Sequence, residues 1–343
     1  MSGELSRPAP PVVGKVTHFS VELYWDEALA KAKEETGEKG GRIRVSVQEQ
    51  DKKSNSWGNV YTGYSKSHVI ESLDELTQYK YRLRFQNDDG PSEWSAVTTV
   101  CTTREPLTGD HLHRAVNANN LEEVERILHT GEVKAEIPDK YGFTPLMQAA
   151  TKGYLDILRT LIENGADVNF ANESKKTALM MACFSGNLAE AQELRKHGAD
   201  YNARDKGGSM PIHWAVDGGD PNLLEWIIQD GADVNSKDSH SHWTPLIRAA
   251  TIGGNVKIAE VLIKHGANVN MHDKDGKTAL MSAVINGYQE LVLLLLKENA
   301  DVSVKNEYGK NVYEMAVSMD KRKVIKVLED HMSKTGIKIG QKF

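Results

Sequence analysis

Residues 142–172 read GFTPLMQAATKGYLDILRTLIENGADVNFAN, and close copies of this stretch follow along the chain. The residues that begin each TPL-like turn, spaced by 33, 33, 34, 34 and 33 residues, are Thr144, Thr177, Met210, Thr244, Thr278 and Asn311. A period of this length indicates a stacked solenoid, because one such unit cannot bury its own apolar face. The repeat therefore predicts a row of similar units that share one core.

Each unit is predicted to be a pair of short helices. Thr144 fits an N-cap, and Pro145 fits the first helical turn, where its missing N–H does no harm. Gly153 permits the chain to reverse before a second helix with apolar residues at helical spacing. Gly165 fits the end of that helix, because glycine adopts the left-handed conformation readily.

The unit resembles the ankyrin repeat. The family pattern D-x-x-G-x-T-P-L-H-x-A-A … G-A-D-V-N is matched by Asp139, Gly142, Thr144, Pro145, Leu146, Ala149, Ala150, Gly165, Ala166, Asp167, Val168 and Asn169. The family histidine is kept only as His213, which weakens one hydrogen-bond network and leaves the fold intact. The resemblance implies an all-α ankyrin-repeat solenoid over residues 109–331. Its expected units are residues 109–139, 142–172, 175–205, 208–238, 242–273 and 276–306, then a partial capping unit at 309–331 and a disordered basic tail at 332–343.

The chain before the repeats alternates apolar and polar residues, as half-buried strands do. The segments rich in β-branched and aromatic residues are 19–25, 42–50, 60–65, 79–87 and 96–103. Short strands separated by turn signals predict a β-sandwich. The segment resembles a fibronectin type III domain, and the residues that carry the resemblance are Pro10, Pro11, Trp25, Leu73 six residues before Tyr79, Gly90 and the SEWS stretch at 92–95.

This resemblance implies an all-β immunoglobulin-like sandwich over residues 8–105. One departure is the charged stretch DEALAKAKEETGEKGG at residues 26–41. We expect a mobile loop there, with a short helix as the alternative, and its mixed charge argues against a nucleic-acid clamp.

Composition excludes several function classes. Charged residues make up 26% of the chain and the net charge is −6, so no global attraction to nucleic acid or anionic membrane is expected. The longest apolar run, residues 291–296, is too short to span a bilayer. No secretory signal is visible, and Cys101 and Cys183 lie in different segments, which makes a disulfide framework unexpected. These features favour the cytoplasm or the nucleus.

Motifs for catalysis are weak. Gly276, Lys277 and Thr278 resemble the end of a phosphate-binding loop but lack its first glycine, and they are ordinary repeat positions. The histidine pairs at residues 111–113 and 240–242 lack partners at a recognised metal-ligand spacing. Cys183 takes a position that is small and apolar in most other units, which favours a buried thiol. We therefore predict no enzyme activity, no cofactor, no metal and no small-molecule substrate.

The ankyrin resemblance implies that protein partners contact the fingertips and the first helices of the units. The predicted partner-binding residues are Tyr141, Phe143, Trp214, Trp243, Arg248 and Lys277. Trp, Tyr and Arg are enriched in interface hot spots. Packing between repeats is the alternative role, and it is strongest for Trp214. A parallel row on the first helices comprises Gln148, Met181, Trp214, Arg248 and Ser282.

Two further groups of residues have alternative interpretations. Lys321, Arg322 and Lys323 form either a nuclear-import signal or the solvated outer face of a capping helix. Resemblance implies that Asn169, Asn235 and Asn270 are candidates for asparaginyl hydroxylation, and the alternative is that they stabilise turns between repeats.

Taken together, these patterns predict a protein-binding adaptor, with regulation of transcription or signalling in the nucleus as one role. The alternative is a receptor or adhesion module outside the cell.

Overall fold

The structure, a computed structural model, describes residues 4–37 and 41–336. The chain divides into two compact units, and the boundary along the sequence lies between Leu107 and Thr108. The elements described in the first unit are β1 (Val12–Val16), β2 (Val21–Tyr24), α1 (Asp26–Thr36), β3 (Arg44–Gln50), β4 (Trp57–Gly63), β5 (Ser67–Ile70), β6 (Gln78–Asn87), β7 (Gly90–Pro91) and β8 (Thr98–Cys101). The strands form two antiparallel sheets, ordered β1-β2-β5 and β4-β3-β6, and both β7 and β8 pair with β6.

Alternation along the strands builds the core of this unit. Tyr79, Tyr81, Leu83 and Phe85 on β6 are buried, whereas the residues between them face the opposite side of the sheet. The register places Phe85 opposite a buried valine of β3. Trp25 closes the core and donates its indole N–H to the carbonyl oxygen of Ser65, 2.7 Å away. The predicted sandwich is confirmed.

Two local features of the first unit follow the fibronectin-like pattern. The hydroxyl oxygen of Tyr79 accepts the main-chain N–H of Asp74 at 2.8 Å, which fixes the corner before β6. The SEWS stretch lies beside β6, and its two serine hydroxyls accept the main-chain N–H groups of Phe85 and Leu83 at 3.0 Å each.

The mobile loop expected over residues 26–41 is wrong for its first part, where the short helix given as the alternative forms as α1. Leu29, Ala32 and Thr36 recur at helical spacing and are buried, so one face of α1 joins the sandwich core. Asp26 and Glu27 lie in the first turn, where their negative charges interact favourably with the positive end of the helix dipole. Residues 38–40 lie outside the described residues.

The described part of the second unit is built from pairs of helices joined by turns. Its helices are α2 (Gly109–Asn117), α3 (Leu121–His129), α4 (Pro145–Lys152), α5 (Leu155–Glu163), α6 (Ala178–Ser185), α7 (Leu188–Lys196), α8 (Pro211–Gly218), α9 (Pro221–Gln229), α10 (Pro245–Thr251), α11 (Val256–Lys264), α12 (Ala279–Asn286), α13 (Gln289–Lys297), α14 (Val312–Ser318) and α15 (Arg322–Thr335). Each pair packs on the next, so the even-numbered helices α2 to α14 form one layer and the odd-numbered helices α3 to α15 another.

Local capping explains where the helices start and stop. The Thr144 hydroxyl accepts the N–H of Met147 at 3.2 Å, and Thr177, Thr244 and Thr278 cap their helices in the same way. Left-handed Gly153 ends α4, with a φ of 74°. The solenoid predicted from the repeat is confirmed.

The tail predicted to be disordered from residue 332 is wrong for its first residues. Helix α15 continues to Thr335, and Met332 is buried. The reason is apolar spacing, because Val324, Leu328 and Met332 follow each other every four residues on one face. Residues 337–343 lie outside the described residues.

Candidate functional site

An aspartate or asparagine starts the turn, here called the finger, that precedes each first helix from α4 onward. One side-chain oxygen of Asp139 accepts the main-chain N–H groups of Tyr141 and Phe143, each at 2.9 Å. The same pair of hydrogen bonds to one side-chain oxygen forms at Asn172, Asp273 and Asn306. The bonds fix each turn and leave the tip side chain free to face solvent. Tyr141 is accordingly 71% exposed.

The second oxygen of this acid joins the finger to its first helix. Asp139 Oδ2 accepts the Gln148 side-chain N–H at 3.2 Å, and Asp205 Oδ2 accepts the indole N–H of Trp214 at 3.1 Å. Trp214 is therefore held in one orientation by a hydrogen bond nine residues back in the chain. This contact supports the packing role that was the alternative for Trp214, while its ring stays half-buried.

Two side chains of the preceding unit meet the ring of this tryptophan. The Phe184 ring meets the Trp214 ring edge to face, with centroids 5.8 Å apart. Lys176 belongs to the preceding finger, and its ammonium group lies 4.7 Å from the centroid of the Trp214 ring. We call Lys176, Phe184 and Trp214 the aromatic cluster. Phe184 remains 49% exposed, so the cluster presents a large apolar surface with a positive charge at its edge.

Arg248 on α10 is engaged by acidic residues of the neighbouring unit. Its guanidinium donates to both carboxylate oxygens of Asp217 on α8, at 2.7 and 2.6 Å, and to Ser209 Oγ at 3.1 Å. Asp238 lies 3.9 Å away. Burial alone would lower the pKa of Arg248, but the hydrogen bonds to Asp217 and the surrounding acids raise it. Its donors are mostly used within the chain.

Trp243 and Lys277 meet at the next finger. The Trp243 indole N–H donates to Asp273 Oδ2 at 3.3 Å, and the Lys277 ammonium lies 3.7 Å from the same atom. Lys277 also donates to Asp275 at 2.8 Å, and this bond raises the pKa of Lys277. The main-chain carbonyl oxygen of Trp243 lies 3.2 Å from Nε2 of buried His213.

The six predicted contact residues thus fall into three pairs, each built on one finger. Tyr141 and Phe143 share Asp139. Trp214 and Arg248 both bind the finger at residues 205–209. Trp243 and Lys277 share Asp273.

The three asparagines predicted as hydroxylation candidates lie between units. Asn169 donates to the carbonyl oxygen of Gly198 at 3.0 Å and accepts the N–H of Asp200 at 2.8 Å. Asn235 makes the matching pair of bonds, at 3.1 and 2.8 Å, and Asn270 accepts the N–H of Asp301 at 2.8 Å. Each side chain therefore links its own turn to the turn of the following unit.

The basic stretch lies at the last helix pair. Lys321 precedes α15, and Arg322 and Lys323 are exposed in its first turn. Arg322 pairs with Asp320 at 3.0 Å in an exposed ion pair of little energetic weight.

The remaining motifs are accounted for by local contacts. His113 lies 2.8 Å from the carbonyl oxygen of Ile137, and Thr278 caps α12. Burial raises the pKa of the Cys183 thiol. No cluster of three or more His, Cys, Asp or Glu residues that could hold a metal ion occurs in residues 4–37 and 41–336. No helix in the same ranges is long and apolar enough to cross a membrane.

Comparison with known proteins identifies the family. The family model described as "Ankyrin repeats (3 copies)" matches residues 83–172, 112–205, 165–238, 212–306 and 272–340. The "Fibronectin type 3 and ankyrin repeat domains 1 protein" of Mus musculus is 53% identical over 280 residues, which cover 82% of this chain and 81% of the mouse protein. The chain belongs to the family of fibronectin type 3 and ankyrin repeat domains proteins.

Two further similarities support this assignment. The "Fibronectin type 3 and ankyrin repeat domains protein 1" of Homo sapiens is 48% identical over 149 residues, which cover 43% of each chain. The crystal structure of the ankyrin repeat domain of Bcl-3, described as a unique member of the IkappaB protein family, is 29% identical, with a TM-score of 0.57. It covers 66% of this chain and 100% of the Bcl-3 chain. Because ankyrin repeats are protein-binding units, the chain of this fibronectin and ankyrin family has a role in protein–protein interaction.

Sequence reasoning missed two parts of the candidate surface. Phe184 was not among the predicted contacts, although it stands where the neighbouring units have Thr151, Asp217 and Thr251. An aromatic residue at a position that is polar in the units on either side was the available signal. The hydrogen bonds that use up Arg248 and orient Trp214 could not be inferred, because they join residues of different turns.

Proposed function

We propose that this chain is a non-catalytic adaptor that holds a protein partner against the fingers and first helices of its ankyrin units. The observation that carries the proposal is the aromatic cluster, in which exposed Phe184 adjoins Trp214 beneath a lysine charge. Large aromatic side chains that stay exposed on a rigid scaffold are typical of interface anchors. Tyr141, at a finger tip two units earlier, extends the same type of surface.

The chemistry of the cluster favours a particular kind of partner. The Trp214 N–H already donates to Asp205 and Lys176 lies over the Trp214 ring, so the exposed apolar surface of the cluster is mainly that of Phe184. Lys176 forms no ion pair within the described residues, so its ammonium group can meet a carboxylate of the partner. We expect the partner to present an apolar side chain beside an acidic one. Tyr141 and Phe143 contribute contacts, whereas Trp243, Arg248 and Lys277 orient neighbouring fingers.

We also propose that the adaptor acts in the cytoplasm and the nucleus, as a regulator of transcription or signalling. The exposure of Arg322 and Lys323 at the start of α15 supports a role of the basic stretch in nuclear import. Replacing Lys321, Arg322 and Lys323 by Ala is then expected to shift a fluorescent fusion towards the cytosol. An unchanged nuclear fraction would remove the stretch from the proposal.

The partner surface is tested by proximity labelling in cells with wild type, Phe184→Ser and the matched control Leu293→Ser. Phe184 and Leu293 are both 49% exposed, but Leu293 lies on the second helix α13. Both variants should unfold near the wild-type temperature. Specific neighbours should disappear only with Phe184→Ser. Retention of every neighbour by Phe184→Ser, or equal losses with both variants, would overturn the proposed surface.

A further inference from the structure

The outer face of the larger sheet in the first unit carries a group of positive charges. In β6, Lys80, Arg82 and Arg84 alternate with the buried aromatic and leucine side chains, and Arg44 on β3 lies on the same face. Arg42, just before β3, extends the row. Within residues 4–37 and 41–336 none of these five cations forms an ion pair, although the whole chain has a net charge of −6. We call these five residues the cationic face.

Aromatic rings alternate with the guanidinium groups on this face. The Arg82 guanidinium lies 4.1 Å from the ring centroid of Trp57 and 4.5 Å from that of Trp94. Arg84 lies 4.6 Å from the Trp94 centroid. Because the guanidiniums lie over the indole faces, their N–H edges rather than the aromatic faces remain available to a ligand.

The hydrogen-bond donors of the two central arginines are incompletely used. Arg82 donates from Nε and one terminal nitrogen to Gln48 Oε1, at 3.1 and 2.8 Å. Arg84 Nε is buried and has no acceptor among the described residues. A buried donor without an acceptor costs free energy, so hydrogen bonds among the described residues do not stabilise the Arg84 side chain. Burial, followed by the charge of Arg84, lowers the pKa of Arg82.

We propose that the cationic face binds an extended acidic segment of a protein partner, rich in Asp and Glu. Carboxylates match the planar edges of guanidinium groups, and none of the five cations of this face has a counterion among the described residues. A nucleic acid fits less well, because its bases need open aromatic faces and those of Trp57 and Trp94 are covered by Arg82 and Arg84. This site belongs to the β-sandwich and goes beyond the ankyrin surface proposed above, so either can fail alone.

The test measures fluorescence polarisation of a labelled peptide of alternating Asp and Glu titrated with the full chain. Arg84→Gln is expected to weaken binding roughly tenfold, because it removes the planar guanidinium group and its charge. Arg84→Lys should recover only part of this loss, since lysine keeps the charge but not the planar donors. Lys15→Gln, on β1 of the other sheet, makes the same change in net charge and should leave binding unchanged.

Two further measurements keep the outcome decisive. Thermal unfolding checks each variant, and if Arg84→Gln is unstable, Arg44→Gln probes the same face from an exposed position without ring contacts and should weaken binding a few-fold. Wild-type affinity should fall as salt rises. The proposal is overturned by absence of peptide binding, by equal binding of an Asn and Gln peptide, by equal losses with Lys15→Gln, or by tighter binding of single-stranded DNA.

Discussion

Replacing Arg248 by Ala should lower the free energy of unfolding of the ankyrin unit. The loss should be far larger than that caused by breaking an exposed ion pair of the same geometry. Arg248 bridges α8 and α10 through both oxygens of Asp217, and the two side chains are only 16% and 15% exposed. Ser209 and Asp238 complete its surroundings. Alanine would leave two largely buried carboxylates without a counterion.

The magnitude follows from burial. Breaking a buried ion pair by removing one partner costs roughly 3 to 5 kcal/mol, and the residual exposure of Arg248 and Asp217 places the cost near 3 kcal/mol. The matched control is Arg126→Ala. Arg126 also donates through two nitrogens to both oxygens of Glu123, at 2.7 and 2.6 Å, but that pair is exposed on one helix. Its loss should leave stability unchanged.

Urea unfolding followed by far-ultraviolet circular dichroism reports the helices of the ankyrin unit. A loss of about 3 kcal/mol lowers the unfolding midpoint by about 1 M or more. Because the lost contact joins neighbouring units of a solenoid, the transition should also broaden as the units on each side of Arg248 uncouple.

Equal midpoints for Arg248→Ala and Arg126→Ala would refute this reasoning. The bidentate geometry would then contribute nothing through burial. A double-mutant cycle with Asp217→Asn isolates the pair, and a coupling energy near zero would locate the cost elsewhere in the Arg248 side chain.

Three other outcomes follow from packing and burial. Gly218→Ala should lower stability by about 2 kcal/mol in thermal unfolding, because a methyl group there overlaps the main-chain carbonyl oxygen of Phe184. Iodoacetamide at mildly alkaline pH should modify exposed Cys101 but not Cys183, whose thiol has a pKa raised by burial; intact mass shows one adduct in the folded chain and two after denaturation. Burial, then the charge of Arg248, lowers the pKa of His213 below its ordinary 6.5. Because the unfolded chain then binds the proton more readily than the folded chain, stability should fall as the pH drops below 6.5. His213→Gln should reduce this pH dependence of the melting temperature.

The repeat period made the second unit predictable because every local signal agreed. A threonine cap, a first-turn proline and a left-handed glycine recur at the same places in the units, and packing confirms what they indicate. Alternation along β6 predicted the first unit for the same reason. The charged stretch before β3 was harder, since Leu29 and Ala32 are few among exposed charges and only the presence of a core beneath them makes α1 stable.

The candidate site was only partly predictable, because residue type says what a side chain can donate and not what it has already bonded. Arg248 and Phe184 illustrate the difference. Arginine is a common interface anchor, yet the donors of Arg248 are directed to Asp217 and Ser209 in the same chain. Phe184 has no polar group to satisfy, and it remains 49% exposed beside Trp214.

The same reasoning separates binding from positioning on the β-sandwich. Arg82 resembles Arg248 in that Gln48 accepts two of its N–H groups, and its guanidinium is fixed between two indole rings. Arg84 has the matching ring contact but no acceptor. A protein that only needed a rigid sheet would gain stability by placing a carboxylate or an amide beside Arg84. We therefore assign Arg82 a positioning role, and Arg84, half-buried and without an ion pair among the described residues, the contact with the proposed acidic partner.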